Sequence, residues 1–372
     1  MNSAPSELLK RCPEVAVAFP RIPLGQWPTP VTALPRLAAS IGLDSLAAKR
    51  EDTSAAAYGG NKVRKLEFAL GAARALGAAE VVTFGAVGSN HALATAIFAT
   101  KLGMRVTTFM TPQPPSHHVR HNVLGHVALG ARVVLCDDGA AAREAAALYV
   151  ADEAKRTGVA PHLIPMGGTD ALTTLGSIDA GMEFAAQVAG GAAERPDVVY
   201  VPFGSMGTAV GVMLGMAAAG LTPEVRAVRV TPSWIASEEG ARRLADETMA
   251  LLARAAPSFP VAAAREARLT VVDAFFGEGY GVFSAEGRRA TELMRETEGL
   301  VLEGTYTAKT VAALIADAGS GALSGRRVAY WHTYNSVDMA PLIAGVDYRS
   351  LPEPFHAYFT NPVQPLDGEA DA

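Results

Sequence analysis

At 372 residues the chain is long enough for two domains with generous cores. With 49% hydrophobic and 19% charged residues it has the composition of a folded α/β protein, not a disordered one. A net charge of −5 gives no reason to expect a nucleic-acid partner, and no apolar run reaches the roughly 18 residues of a membrane span.

In chain order, the first twenty residues scatter Glu7, Lys10, Arg11 and Glu14 and lack a signal-peptide core. Cys12 and Cys136 are too few and too far apart for a disulfide framework or a zinc cluster. A cytoplasmic location is the expectation. Next comes Tyr58-Gly-Gly-Asn-Lys-Val-Arg-Lys65, which sets Lys62 directly after Gly59-Gly60-Asn61. There a loop meets a run of helical period formed by Val63, Leu66, Leu70 and Ala73. Two glycines let the backbone pass close to a ligand. A lysine desolvated in such a place has a lowered pKa, and its amine can form a Schiff base with a carbonyl compound. A basic turn with a solvated lysine would read the same way, so the rest of the chain must decide.

From Lys62 to about Leu175 strand-like and helix-like segments alternate. Strands are predicted over 80–84, 105–110, 131–136 and 162–166, with helices over 90–101 and 140–156. The rhythm resumes with strands over 197–201, 225–230, 269–273 and 327–331. Helices are predicted over 207–219, 236–255, 284–297 and 308–318. Such alternation predicts an α/β fold of mostly parallel sheets with helices on both faces. Ligands then bind on the loops beyond the carboxyl ends of the strands.

Two of those loops are polar. Gly88-Ser-Asn-His91 opens a helix that Ser89 or Asn90 can cap, and the free N–H groups of a helix N-terminus suit a substrate carboxylate. Pro202-Phe-Gly-Ser-Met-Gly-Thr208 opens another. Gly204, Gly207 and the hydroxyls of Ser205 and Thr208 supply the close approach and donors of a phosphate cradle. A plain glycine-rich turn has the same composition. No Gly-Lys-Ser/Thr follows, so this is not a P-loop, and the Gly-x-x-Gly spacing is wrong for a dinucleotide. A lysine placed for imine chemistry and a separate phosphate loop together point to pyridoxal 5′-phosphate, whose aldehyde and phosphate match them.

Other residues read as structural. His117, His118 and His121 follow the proline-rich stretch at 112–115 and are expected in an exposed loop, with no metal site. Glu51 and Asp52 form a structural pair beside the lysine loop. No Gly-x-Ser-x-Gly elbow marks a serine hydrolase.

Further tracts fall in order along the chain. They are Pro28-Thr-Pro30, Ala48-Lys-Arg-Glu-Asp52, Gly59 through Glu67, Pro165-Met-Gly-Gly168, Gly277-Glu-Gly-Tyr-Gly281, Leu302 through Lys309, and His332-Thr333. With the two polar loops, this set resembles the D-cysteine desulfhydrase / 1-aminocyclopropane-1-carboxylate deaminase family of fold type II pyridoxal-phosphate enzymes. The resemblance implies a large domain of residues 1–57 and 175–372, a small domain of 58–174, the cofactor in the cleft between them, and a homodimer. It implies that Lys62 is the Schiff-base lysine, that Asn90 contacts the ring 3′-oxygen, and that Gly204, Ser205, Met206, Gly207 and Thr208 hold the phosphate. Thr307 is the residue expected to face the pyridine nitrogen. Ser89, with Asn90 and His91 beside it, would bind the substrate, and Tyr280 and Tyr306 would line the substrate side of the ring. Lys62, Ser89, Tyr280 and Tyr306 are the expected catalytic residues.

Thr307 and His91 resemble the desulfhydrase branch, since the deaminase branch carries Glu and Gln in those places. The implied reaction is β-elimination from a small amino acid such as D-cysteine, giving pyruvate, ammonia and hydrogen sulfide. Ring-opening deamination of aminocyclopropane carboxylate and racemisation remain open on the same scaffold. So does a catalytically idle relative that binds the cofactor or an amino acid. The chain also departs from the family pattern. Met206 replaces a glycine, Gly88 a polar residue and Ala308 a glycine. Glu303-Gly-Thr305 stands for Asp-Pro-Val, and His332-Thr-Tyr-Asn335 for His-Thr-Gly-Gly.

Overall fold

The computed structural model describes residues 6–368. They contain ten strands: β1 (Val31–Ala33), β2 (Leu46–Arg50), β3 (Glu80–Ala86), β4 (Arg105–Thr111), β5 (Arg132–Leu135), β6 (His162–Leu163), β7 (Val198–Phe203), β8 (Glu224–Arg229), β9 (Leu269–Val272) and β10 (Val328–His332). The chain divides into two compact units. The larger runs to Phe68 and resumes over Thr169–Ser336; the smaller comprises Ala69–Gly168 and the chain from Val337 on.

The larger unit holds a six-stranded sheet in the order β1-β2-β10-β7-β8-β9. Every pairing is parallel except β1 with β2. Both faces are covered, and the two-residue period of a strand shows directly in how its side chains are shared. Val199, Val201 and Phe203 of β7, with Ala329 and Trp331 of β10, join the core under helices Ala171–Ala189 and Gly207–Ala218. Val198 and Tyr200, with Val328 and Tyr330, join the opposite core under helices Ala285–Glu298 and Thr307–Gly319.

The smaller unit holds a four-stranded, all-parallel sheet in the order β5-β4-β3-β6. The expected α/β class of mostly parallel sheets between helices is therefore what both units adopt. The expected boundaries are not. Residues 58–68 belong to the larger unit, and the tail from Val337 belongs to the smaller one. The reason is packing: Leu351, Phe355 and Tyr358 bury against Val87, Met110, Val119, Val123 and Val133.

Three further differences have local causes. The strand expected over 162–166 stops at Leu163, because Pro165 has no N–H for a ladder and Gly167 and Gly168 then turn the chain. His117, His118 and His121 lie on a helix, His117–Ala128, and not in a loop. Its N-cap Ser116 accepts a hydrogen bond from the Val119 N–H at 3.1 Å. Of the three histidines only His121 is exposed.

On that helix His126 is fully buried, and neither ring nitrogen has a hydrogen-bond partner among the described residues. Burial pushes its pKa down to about 4 from an ordinary 6.5. The unfolded chain therefore takes up a proton before the folded one does. The contribution of His126 to stability is constant above about pH 6.5 and falls between there and about pH 4, by up to about 3 kcal/mol. Urea midpoints followed from pH 7 to 4 should drop less steeply for His126→Leu than for the wild type; parallel curves would contradict this.

Candidate active site

Lys62 opens helix Lys62–Ala75. What orients that first turn is the residue two further on. Arg64 is buried and donates to both oxygens of Glu51 (2.8 and 3.0 Å) and to Glu183 (2.8 Å). Its guanidinium lies 3.7 Å from the Trp27 ring centroid. Burial disfavours this charge, but Glu183 and Glu51 outweigh that cost and raise its pKa. One turn on, Glu67 accepts from Arg21 and from the N–H groups of Leu24, Gly25 and Trp27 Nε1. Glu51 is thus structural, as expected; Asp52 is held by Arg50 through two bonds of 2.7 Å.

The loop before Lys62 is equally fixed. A Cβ on Gly59 would sit 1.8 Å from the Asp52 carbonyl oxygen, so no larger residue fits. The Gly59 N–H donates to Asn335 Oδ1 at 2.6 Å, and the Asn61 N–H to the Thr333 carbonyl at 3.2 Å. The Tyr334-Asn335 departure from the family pattern therefore supplies a brace for the lysine loop. Lys62 itself is half-buried, and among the described residues no hydrogen bond or ion pair occupies its amine. Desolvation alone pulls its pKa down to about 8.

The loop at 204–208 meets the same helix. Asn61 Nδ2 donates to Thr208 Oγ1 at 2.7 Å. Lys65 Nζ donates to Thr169 Oγ1 at 2.8 Å, and that hydroxyl lies 2.7 Å from Ser205 Oγ. Lys65 is fully buried, and desolvation followed by the nearby Lys62 charge drives its pKa well down. Lys65 and Thr169 were not singled out from sequence; the available signal was the spacing of Lys65 three residues, one helical turn, after Lys62. The loop closes a γ-turn on Met206 (φ 69, ψ −39), in which the Gly207 N–H donates to the Ser205 carbonyl at 2.8 Å. Met206 is the one non-glycine residue at positive φ among the described residues. Its thioether occupies the space beside Gly240, where a Cβ would lie 2.8 Å from Sδ.

Two tyrosines complete this unit's polar surface. The Tyr280 and Tyr306 hydroxyls are 2.7 Å apart, with their rings edge to face. Burial pushes Tyr280 up to about 12 and Tyr306 well above its ordinary value, so both stay protonated. A Cβ on Gly204 would be 3.0 Å from the Tyr306 ring. Buried Glu303 accepts from the N–H groups of Thr305 (2.6 Å) and Tyr306 (3.1 Å), which fixes the start of helix Thr307–Gly319. Buried Thr307 accepts from the Glu303 N–H at 2.7 Å and donates to its carbonyl at 3.2 Å.

In the smaller unit, Ser89 caps helix Asn90–Lys101 by accepting from the Ala92 N–H at 3.2 Å. Asn122 Nδ2 donates to the Gly88 carbonyl (2.9 Å) and to Asn90 Oδ1 (3.2 Å). His91 is buried with Nε2 3.0 Å from Thr83 Oγ1. Since Thr83 donates its hydroxyl proton to the Ile164 carbonyl, His91 Nε2 is the donor toward it.

The chain matches the pyridoxal-phosphate dependent enzyme family over residues 22–333, and it belongs to that family. It is 36% identical to the nocardicin C-9′ epimerase of Nocardia uniformis subsp. tsuyamanensis, over 85% of this chain and 93% of that protein. It is also 36% identical to a D-cysteine desulfhydrase of Klebsiella pneumoniae (strain 342), over 80% and 88% respectively. Among solved structures, an ACC deaminase homologue superposes with a TM-score of 0.73 at 29% identity, covering 89% of this chain and 95% of that one. The protein is a fold type II enzyme that uses pyridoxal phosphate. Its own residues fit that cofactor. Amine, hydroxyls and a helix N-terminus converge beside Gly207, where an added Cβ would lie 2.8 Å from Lys65 Nζ and 3.0 Å from Thr169.

The γ-turn gives a direct test of strain in this loop. A non-glycine residue in such a conformation costs roughly 1–3 kcal/mol. Met206→Ala keeps that cost and loses the thioether packing, whereas Met206→Gly removes the strain. The glycine variant should be the more stable of the two by about 1 kcal/mol, reversing the usual order. Thermal unfolding of the pair decides it, and an alanine variant of equal or higher stability would contradict the strained backbone.

Proposed function

We propose that this enzyme catalyses β-elimination and deamination of a small amino acid bearing a β-leaving group, with D-cysteine as the reference substrate. The products are pyruvate, ammonia and, from D-cysteine, hydrogen sulfide. The observation that carries this reading is the pair of protonated hydroxyls, Tyr280 and Tyr306, in the same unit as an unoccupied lysine amine of low pKa.

When bound, pyridoxal phosphate supplies an aldehyde for amino groups and a ring that withdraws electrons from an amino acid's Cα. In this reading Lys62 holds the cofactor and, once displaced, its amine takes the Cα proton; a pKa of about 8 leaves a working fraction of it unprotonated near neutrality. Of the two tyrosine hydroxyls, one proton lies in the bond between them and the other is free to be donated to the departing β-substituent. Lys65, Ser205, Gly207 and Thr208 would hold the phosphate, and a dianion beside Lys65 would restore its proton. Ser89 and the helix N-terminus it caps would take the substrate carboxylate, with Asn90 held by Asn122. Thr307, whose hydroxyl proton goes to the Glu303 carbonyl, would put no charge beside the ring nitrogen where a carboxylate would otherwise stand. A cytoplasmic homodimer belongs to the same reading and rests on the family resemblance.

The test is a panel of D- and L-amino acids with β-leaving groups, together with aminocyclopropane carboxylate, read by keto-acid formation and by exchange of the Cα proton with deuterated solvent. D-cysteine should give keto acid and sulfide, and Tyr280→Phe should lower kcat by about tenfold or more. Proton exchange without keto acid would replace elimination by stereochemical inversion. No exchange and no product across the panel would leave a binding protein instead of an enzyme of this specificity.

A further inference from the structure

We propose that Lys309 is the positioning residue that sets Tyr280 against Tyr306. Helix Thr307–Gly319 begins immediately after Tyr306, so Lys309 lies one turn on, three residues after it. Lys309 is fully buried, yet among the described residues it forms no ion pair. Its ammonium is spent on backbone: Nζ donates to the Phe276 carbonyl at 2.6 Å and to the Gly279 carbonyl at 3.2 Å. It also lies 5.6 Å from the centroid of the Phe276 ring.

Those two carbonyls bracket the approach to Tyr280. The segment Gly277-Glu-Gly-Tyr-Gly281 has three glycines in five residues, with Gly277 and Gly281 at φ 71 and 74. Such a chain has little intrinsic preference for one path. It is held at two points by the same helical turn: the backbone by Lys309 and the Tyr280 hydroxyl by Tyr306. Burying an ammonium is costly unless its protons are satisfied. Methionine would fill the space without that cost but would leave the two carbonyls unheld. Without the tie, the 2.7 Å contact between the hydroxyls would depend on the loop alone. The catalytic consequence rests on the role proposed above for Tyr280; the mechanical one does not.

Amide hydrogen exchange on cofactor-free protein separates the two. In Lys309→Met, exchange across 276–281 should speed by about tenfold or more, as befits losing a charged donor, with exchange elsewhere unchanged. In the holoenzyme, kcat for keto-acid formation from D-cysteine should fall to the level of Tyr280→Phe, with KM within about threefold of the wild type. The Lys309→Met/Tyr280→Phe double variant should be no slower than either single one. Lys309→Arg, which can still donate to both carbonyls, should recover most of the loss. Unchanged exchange over 276–281 would overturn the proposal, as would losses that multiply in the double variant. If Lys309→Met does not fold, Lys309→Gln, with one amide donor, carries the same comparison. If the wild type produces no keto acid from any substrate, the exchange result still decides what Lys309 does to the loop.

Discussion

A buried guanidinium two residues beyond Lys62 is the constraint on which the larger unit's site depends. Arg64 is matched by Glu51 and Glu183, and Glu183 also pairs with Lys49. Removing one partner from such a cluster strands a charge in the core, at about 3–5 kcal/mol. The helix that begins at Lys62 therefore cannot rotate about its axis without breaking the cluster. With Arg64 and Glu67 spent on anchoring, Lys62 and Lys65 share the remaining face, and Lys65 reaches the 204–208 loop. Asn335 fixes the preceding loop from the other end. The Lys62 amine is thus positioned by residues that take no part in the proposed chemistry.

The amines at 62 and 65 illustrate how similar groups acquire different properties. Both lose solvation, and Lys65 also meets the charge of the Lys62 ammonium, which lowers its pKa further. In the proposed reading Lys65 would therefore gain most from an arriving phosphate, while the Lys62 amine has no hydrogen-bond or ion-pair partner among the described residues. The strained Met206 turn lies between the hydroxyls that would meet that phosphate. Local strain at such a place is a common feature of ligand clamps.

Much of the fold was legible in the sequence. Strands β3, β4, β7 and β8 are β-branched runs bounded by turns, and helix Asn90–Lys101 is announced by its Ser89 cap. Strand β2 was not, because its Lys49 is buried and charged and its partners lie far along the chain. The attachment of the tail to the smaller unit depends on equally distant apolar contacts. In the site, Lys62, the glycine loop and the two tyrosines stand in recognisable motifs. Lys65 and Lys309 stand in the same motifs, but their partners, Thr169 and the 276–279 carbonyls, emerge only when the chain is folded. Met206 was visible as a departure from glycine, and its positive φ supplies the reason for glycine there.

The most direct measurement of the central claim is borohydride reduction of the holoenzyme followed by peptide mapping. A single pyridoxyl group is expected, on Lys62, and none in Lys62→Ala. A pyridoxyl group on Lys65 or Lys309 in the wild-type protein would contradict the assignment of the free amine, and with it the division of labour between Arg64 and Lys62.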